Sequence, residues 1–192
     1  MTISKAHHID LLPLLGSLLA GLLYCVVHLF NAWFFQWGEL NQHVNLVYLP
    51  SFLRLANVVI LGLAWGTAGT ALGGMMLIMW SQDEWLMCLL NTGVSASAAA
   101  LAVFCLQTLL SRRLSVTRLF DLVLLTVVCA IISASFHHLL WSALDPSQLI
   151  NPLQLLYMIL GDMNGALIGA LILRSVSHQT RIAERLRKKL EH

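Results

Sequence analysis

Residues 119–141 read LFDLVLLTVVCAIISASFHHLLW, a run of 23 residues whose single carboxylate, Asp121, stands at its start. A helix needs about 20 mostly apolar residues to cross a hydrocarbon core ~30 Å thick. This stretch meets that requirement, and working outward from it finds more of the same kind. Apolar runs separate at charges, prolines and polar clusters into Leu11–Phe35, Val44–Gly62, Leu63–Trp80, Trp85–Leu110, Leu119–Trp141 and Pro152–Leu173. The boundary between the second and third is a tight turn around Gly62–Gly66. No run alternates polar and apolar residues as a barrel strand would, so closed helices are the expected spanning form.

Composition agrees. Only 10% of the 192 residues are charged and 58% are hydrophobic, whereas a soluble domain carries about 25% charged residues. The expectation is an all-α integral membrane protein, a bundle of about six transmembrane helices. Its parts are a cytoplasmic N-terminal segment (1–10), a transmembrane domain (11–173) and a basic cytoplasmic helix or linker (174–192). The run from Leu11 to Phe35 exceeds a signal-peptide core and has no small-residue cleavage site after it, so it reads as a retained anchor.

Lysine and arginine set the expected orientation. Lys5 precedes the first run, Arg112, Arg113 and Arg118 lie between the fourth and fifth, and Arg174, Arg181, Arg185, Arg187, Lys188 and Lys189 follow the sixth. The other three connections carry Glu39, Asp83, Glu84 and Asp145 but no Lys or Arg. Basic loops stay on the cytoplasmic side, which places both termini in the cytoplasm. Trp33, Trp37, Tyr48, Trp80, Trp85 and Trp141 fall near the outer ends of their runs and read as interface anchors.

Two charges remain deep inside apolar runs, Arg54 and Asp162, whereas Asp121 stands at the start of its run. At 1.5 Å per residue, both lie roughly 12–15 Å below the outer end of helices that run the same way. They are expected to pair as an Arg–carboxylate fork, with Asn57 and Asn164 completing a buried polar network. This pair either locks two helices or lines a ligand or ion site. His28, His43, His137 and His138 project to the outer half of the bundle, and His28, His137 and His138 join the candidate polar site.

Met75, Met76 and Met79, with Met87 and Cys88 across a turn, would suit copper, and paired histidines would suit haem. No recognised metal spacing is present, so no cofactor is expected. Cys25, Cys88, Cys105 and Cys129 are scattered singly and read as small buried hydrophobes. Gly161, Gly165 and Gly169, spaced by four, form a ridge that lets another helix approach closely, and Gly69 and Gly73 repeat the device.

Several short pieces resemble the MASE1 family of bacterial membrane sensor domains. Leu49-Pro50-Ser51-Phe52-Leu53-Arg54-Leu55 is similar to an aromatic-Pro-x-Gly-x-x-Leu opening of a span, with Phe52 where Gly is usual. Asn91-Thr92-Gly93 resembles a Gly-Asn-Thr helix start. Ser111-Arg112-Arg113-Leu114 and Leu119-Phe120-Asp121-Leu122 resemble the family's basic loop and following helix start. Leu160-Gly161-Asp162-Met163-Asn164-Gly165 is similar to the Gly-Asp-x-x-Gly element of its last helix, with Tyr157 in place of a tryptophan. The resemblance implies a sensory module with Asp162 and Gly165 as the signature pair, and a kinase or cyclase output domain that these 192 residues do not include.

From Ser175 the chain turns polar and basic, and Ile182, Leu186 and Leu190 repeat on one helical face. Such a helix suits dimerisation or a cytoplasmic partner, or else lies on anionic lipid. Leu190-Glu191-His192 reads equally well as the start of an expression-tag scar. The expected function is a membrane signal-input module that detects a small ligand or the state of the bilayer. The alternative is a small-molecule or ion transporter using Asp162 and Arg54. No GxSxG, HExxH or paired-aspartate motif points to an enzyme, and nothing beyond the basic tail points to nucleic acid.

Overall fold

The computed structural model describes residues 11–41, 44–81, 83–144 and 151–190. Lys5, His43 and Asp145 lie outside them, as do the side chains of the Ile182, Leu186 and Leu190 stripe. Six α-helices follow in order: α1 (Leu11–Phe34), α2 (Pro50–Leu61), α3 (Leu63–Leu77), α4 (Trp85–Leu110), α5 (Leu119–Leu144) and α6 (Pro152–Leu190). Single 3₁₀ turns, Gln36–Gly38 and Ile78–Trp80, extend α1 and α3. A small antiparallel pair, β1 (Glu39–Asn41) and β2 (Val44–Asn45), sits between α1 and α2.

Five helical stretches are long and apolar enough to cross a bilayer: Leu11–Phe34, Leu63–Trp80, Trp85–Leu110, Leu119–Leu144 and Pro152–Ser177. The expected sixth, Val44–Gly62, is different. Its helix has 12 residues, which at 1.5 Å each span only ~18 Å. Pro50 is the cause. Its ring would clash with the carbonyl four residues back, so a helix can begin at Pro50 but cannot run through it. Residues 44–49 therefore remain non-helical, and the second passage is half loop and half helix.

That non-helical segment is held against α6. The Tyr48 N–H donates to the Gly161 carbonyl at 3.0 Å. Ser51 Oγ donates to the Asp162 carbonyl at 2.7 Å, and Asn164 Nδ2 to the Leu46 carbonyl at 2.9 Å. A Cβ at Gly161 would overlap the Asn45 carbonyl oxygen, and one at Gly165 the Tyr48 carbonyl. Gly169 meets the ring of Phe52, whose Cβ and Cγ would stand 2.6 Å from an added Cβ. The ridge on α6 thus receives loop backbone and the first turn of α2, not the flank of a long helix as the spacing suggested.

Small residues close the other seams. Gly69 of α3 packs on Ser17 and Ala20 of α1, and Gly73 packs on Gly21 and Tyr24. Ser17 Oγ donates to the Trp65 carbonyl at 2.8 Å, so α1 and α3 lie side by side and parallel. The α2–α3 turn is made by Gly62 at φ 86°, a backbone state open to glycine at little cost. The apolar core joins Leu55 and Val58 of α2 to Ala99, Ala102 and Val103 of α4 and Leu125 and Cys129 of α5.

Gly165→Ala is expected to lower stability by about 1–3 kcal/mol, because backbone and not a flexible side chain must give way. Gly93 of α4 has open space around it, so Gly93→Ala should be neutral or stabilising by about 0.5–1 kcal/mol. Thermal unfolding of both variants in one detergent checks the pair. Equal effects would mean the close approach on α6 is not required.

Candidate functional site

Three helices carry polar or aromatic residues at three- and four-residue spacing, which puts each set on one face. On α1 these are Tyr24, His28 and Asn31; on α4, Cys88, Asn91 and Ser95; on α5, Ser133, His137 and Trp141. All but Ser133 line one cavity, to which α2 contributes Arg54 and α6 contributes Met158 and Asp162. Its volume is about 390 Å³, within the size range of small-molecule sites. It opens at the end of the bundle where α1, α3 and α5 finish and α4 and α6 begin, beside Glu39, Trp80 and Asp83.

Arg54 forms the floor and is only 1% exposed. Its Nη2 donates to Asp162 Oδ2 at 2.7 Å and its Nη1 to Ser133 Oγ at 2.9 Å. The expected two-bond fork does not form. The guanidinium is divided between α6 and α5, because Ser133 reaches the second nitrogen. Nε is covered and makes no hydrogen bond. The guanidinium carbon lies 5.6 Å from the centre of the Tyr48 ring, within cation–π range.

Ser133 links two parts of the site. Its carbonyl accepts from His137 Nδ1 at 2.8 Å. With Nδ1 as donor, the neutral imidazole presents Nε2 as an acceptor, and Ser95 Oγ lies 3.4 Å from it. Tyr48 links the other side: its hydroxyl lies 3.1 Å from the Tyr24 hydroxyl and 3.2 Å from His28 Nδ1. Trp141 Nε1 donates to Asn91 Oδ1 at 3.0 Å, fixing the indole at the cavity wall.

Of the residues singled out from the sequence, Arg54, Asp162, His28 and His137 meet at this cavity. Asn57 does not. It faces α3, where Nδ2 donates to Thr70 Oγ1 at 3.2 Å. Asn164 is spent on the Leu46 carbonyl and makes no bond to the ion pair. His138 is buried against Trp141 outside the cavity lining, and its Nε2 has no partner among the described residues. Two residues expected as interface anchors do other work. Trp141 is 8% exposed and Tyr48 is part of the polar chain, while Trp33, Trp37, Trp80 and Trp85 are exposed.

From the sequence, Ser133 and Tyr24 are not placed at the site, Asn91 is read only as part of a helix start, and Ser95 is assigned to a smooth packing face of α4. The Ser133–His137–Trp141 spacing on α5 was the available signal. Among the described residues, no group of three or more His, Cys, Asp or Glu side chains is arranged to hold a metal ion.

A second ion pair marks the opposite end. Arg112 Nη1 donates to Asp121 Oδ2 at 2.9 Å, Nη2 reaches Oδ1, and the Ser115 N–H adds a bond to Oδ2 at 3.1 Å. Here a true fork forms, tying the α4–α5 loop to the first turn of α5. Hydrogen bonding to Asp121 raises the pKa of the Arg112 guanidinium above its ordinary value.

Compared with known proteins, the chain matches no family model, no curated protein and no solved structure.

Asp162→Asn should destabilise the protein more than Arg54→Met. The first leaves a buried guanidinium that cannot lose its proton, while the second leaves a carboxyl that can take one. Breaking a buried pair from one side costs about 3–5 kcal/mol, and replacing both partners by apolar residues recovers most of it. Unfolding of the two single variants and of Arg54→Met/Asp162→Leu measures this; a double variant no better than Asp162→Asn would contradict it.

Proposed function

We propose that the protein is a membrane signal-input module in which a small ligand enters the cavity and biases the packing of α6. The observation that carries this reading is the continuity of α6. One helix of 39 residues holds Asp162 at the cavity floor and runs on to Leu190, well past the apolar stretch that ends at Ser177. A shift or rotation at Asp162 would therefore be delivered, through a single rigid element, to whatever the basic tail contacts. The MASE1-like pieces around Arg54, Asn91 and Asp162 point the same way. In this reading both termini are cytoplasmic, the cavity opens outward, and the bilayer is a bacterial inner membrane. The tail would meet an output domain, a partner protein or a second copy.

One feature favours a transporter instead. The second passage is interrupted at mid-bundle, and its irregular backbone lines the cavity, a device used where substrates or ions bind between broken helices. Under that reading Asp162 would carry a cation or proton.

The test joins the full chain, in helical register, to a diguanylate cyclase as reporter. Asp162→Asn and Arg54→Lys should each change cyclase output by about fivefold or more at equal membrane abundance, the lower range of allosteric coupling. Unchanged output in both would sink the sensor reading. A proton flux in proteoliposomes that vanishes with Asp162→Asn would put the transporter in its place.

A further inference from the structure

The cavity has a charge character that narrows its ligand. Among the described lining residues the carboxylates are Glu39, Asp83 and Asp162, and the only guanidinium or ammonium is Arg54. Arg54 is already bonded to Asp162 and Ser133, and its remaining Nε is covered. Its charge is matched by Asp162, so the pair brings no net positive charge to an incoming anion. The described residues of the connections at the cavity end include Glu39, Asp83 and Glu84 and no Lys or Arg. Basic residues avoid outer loops for topological reasons, but that rule does not enrich acids there. A cleft lined by one sign of charge between low-dielectric walls concentrates ligands of the opposite sign. Tyr24, Trp80 and Trp141 are among the residues that line the same space, and aromatic walls are how proteins hold alkylammonium groups.

We propose that the cavity takes a small organic cation, a quaternary ammonium or protonated amine, drawn past Glu39 and held among Tyr24, Trp80 and Trp141 above Asp162. This rests on the reading of the cavity as a ligand site and specifies its chemistry. It also gives the coupling a physical form. A second cation above Asp162 competes with Arg54 for the same carboxylate, and the carboxylate belongs to α6.

The experiment uses three molecules of one shape and different charge: choline, 3,3-dimethylbutan-1-ol and 3,3-dimethylbutanoate. Each is titrated into the full-length protein in nanodiscs, with tryptophan fluorescence and thermal unfolding as readouts. Choline should bind at least tenfold tighter than the alcohol, the butanoate should not bind, and choline affinity should fall as salt rises. Glu39 is exposed, so Glu39→Gln should fold normally and weaken choline by about two- to fivefold, the size of a solvent-exposed charge interaction, without affecting the alcohol. If the alcohol or the butanoate binds as well as choline, the cation inference fails while the cavity stands as a ligand site. If none of the three binds, the inference also fails, whatever the cyclase fusion reports about signalling.

Discussion

A guanidinium that is 1% exposed inside an apolar bundle is tolerable only if its charge is matched at close range. Stripping one such ion of water costs several kcal/mol even after the surroundings relax. Arg54 meets the condition by drawing on two helices at once, Asp162 from α6 and Ser133 from α5. The short helix α2 is therefore pinned between α5 and α6, and its depth is set by where Asp162 lies along α6.

That pin imposes a second constraint. For Arg54 to reach Asp162, the chain just before α2 must pass directly over α6. Its carbonyls come so close that only glycine is accommodated at Gly161 and Gly165. Charge pairing and the glycine ridge are thus one arrangement seen from two sides. The bonds from Tyr48, Ser51 and Asn164 across the same seam satisfy loop and side-chain groups that lipid could not. The space left over, where residues 44–49 stand aside instead of continuing as helix, is the cavity.

Much of this was legible from the sequence, and the misses have physical reasons. The bounds of α4 fell at Trp85–Leu110 as the apolar run predicted, because charge and loop residues end it sharply at both ends. Arg54 and Asp162 could be matched by depth alone, since a lone buried charge has few acceptable partners. Asn57 and Asn164 could not be assigned, because a neutral amide accepts almost any backbone or hydroxyl partner and helix rotation decides which is nearest. The fork failed for a related reason: Ser133 is one of many serines, and nothing in its local sequence marks it as facing Arg54. The broken second passage had a visible signal in Pro50. Its apolar neighbours on both sides outweighed that signal in a reading based on hydropathy.

The two ion pairs also differ in a way that bears on function. Arg112–Asp121 is a two-bond fork at a loop, with Arg112 38% exposed on its side chain, and it ties residues only nine apart in sequence. It fixes a turn and has little to transmit. Arg54–Asp162 joins residues 108 apart with a single bond, and it leaves its carboxylate at a cavity open to one end. A single bond leaves more freedom than a fork, because Arg54 engages only one of the two Asp162 carboxylate oxygens. The carboxylate sits on α6, which continues past the apolar stretch that ends at Ser177. The geometry therefore puts the single-bond contact on the long helix α6, and the rigid fork at the end where it ties a loop.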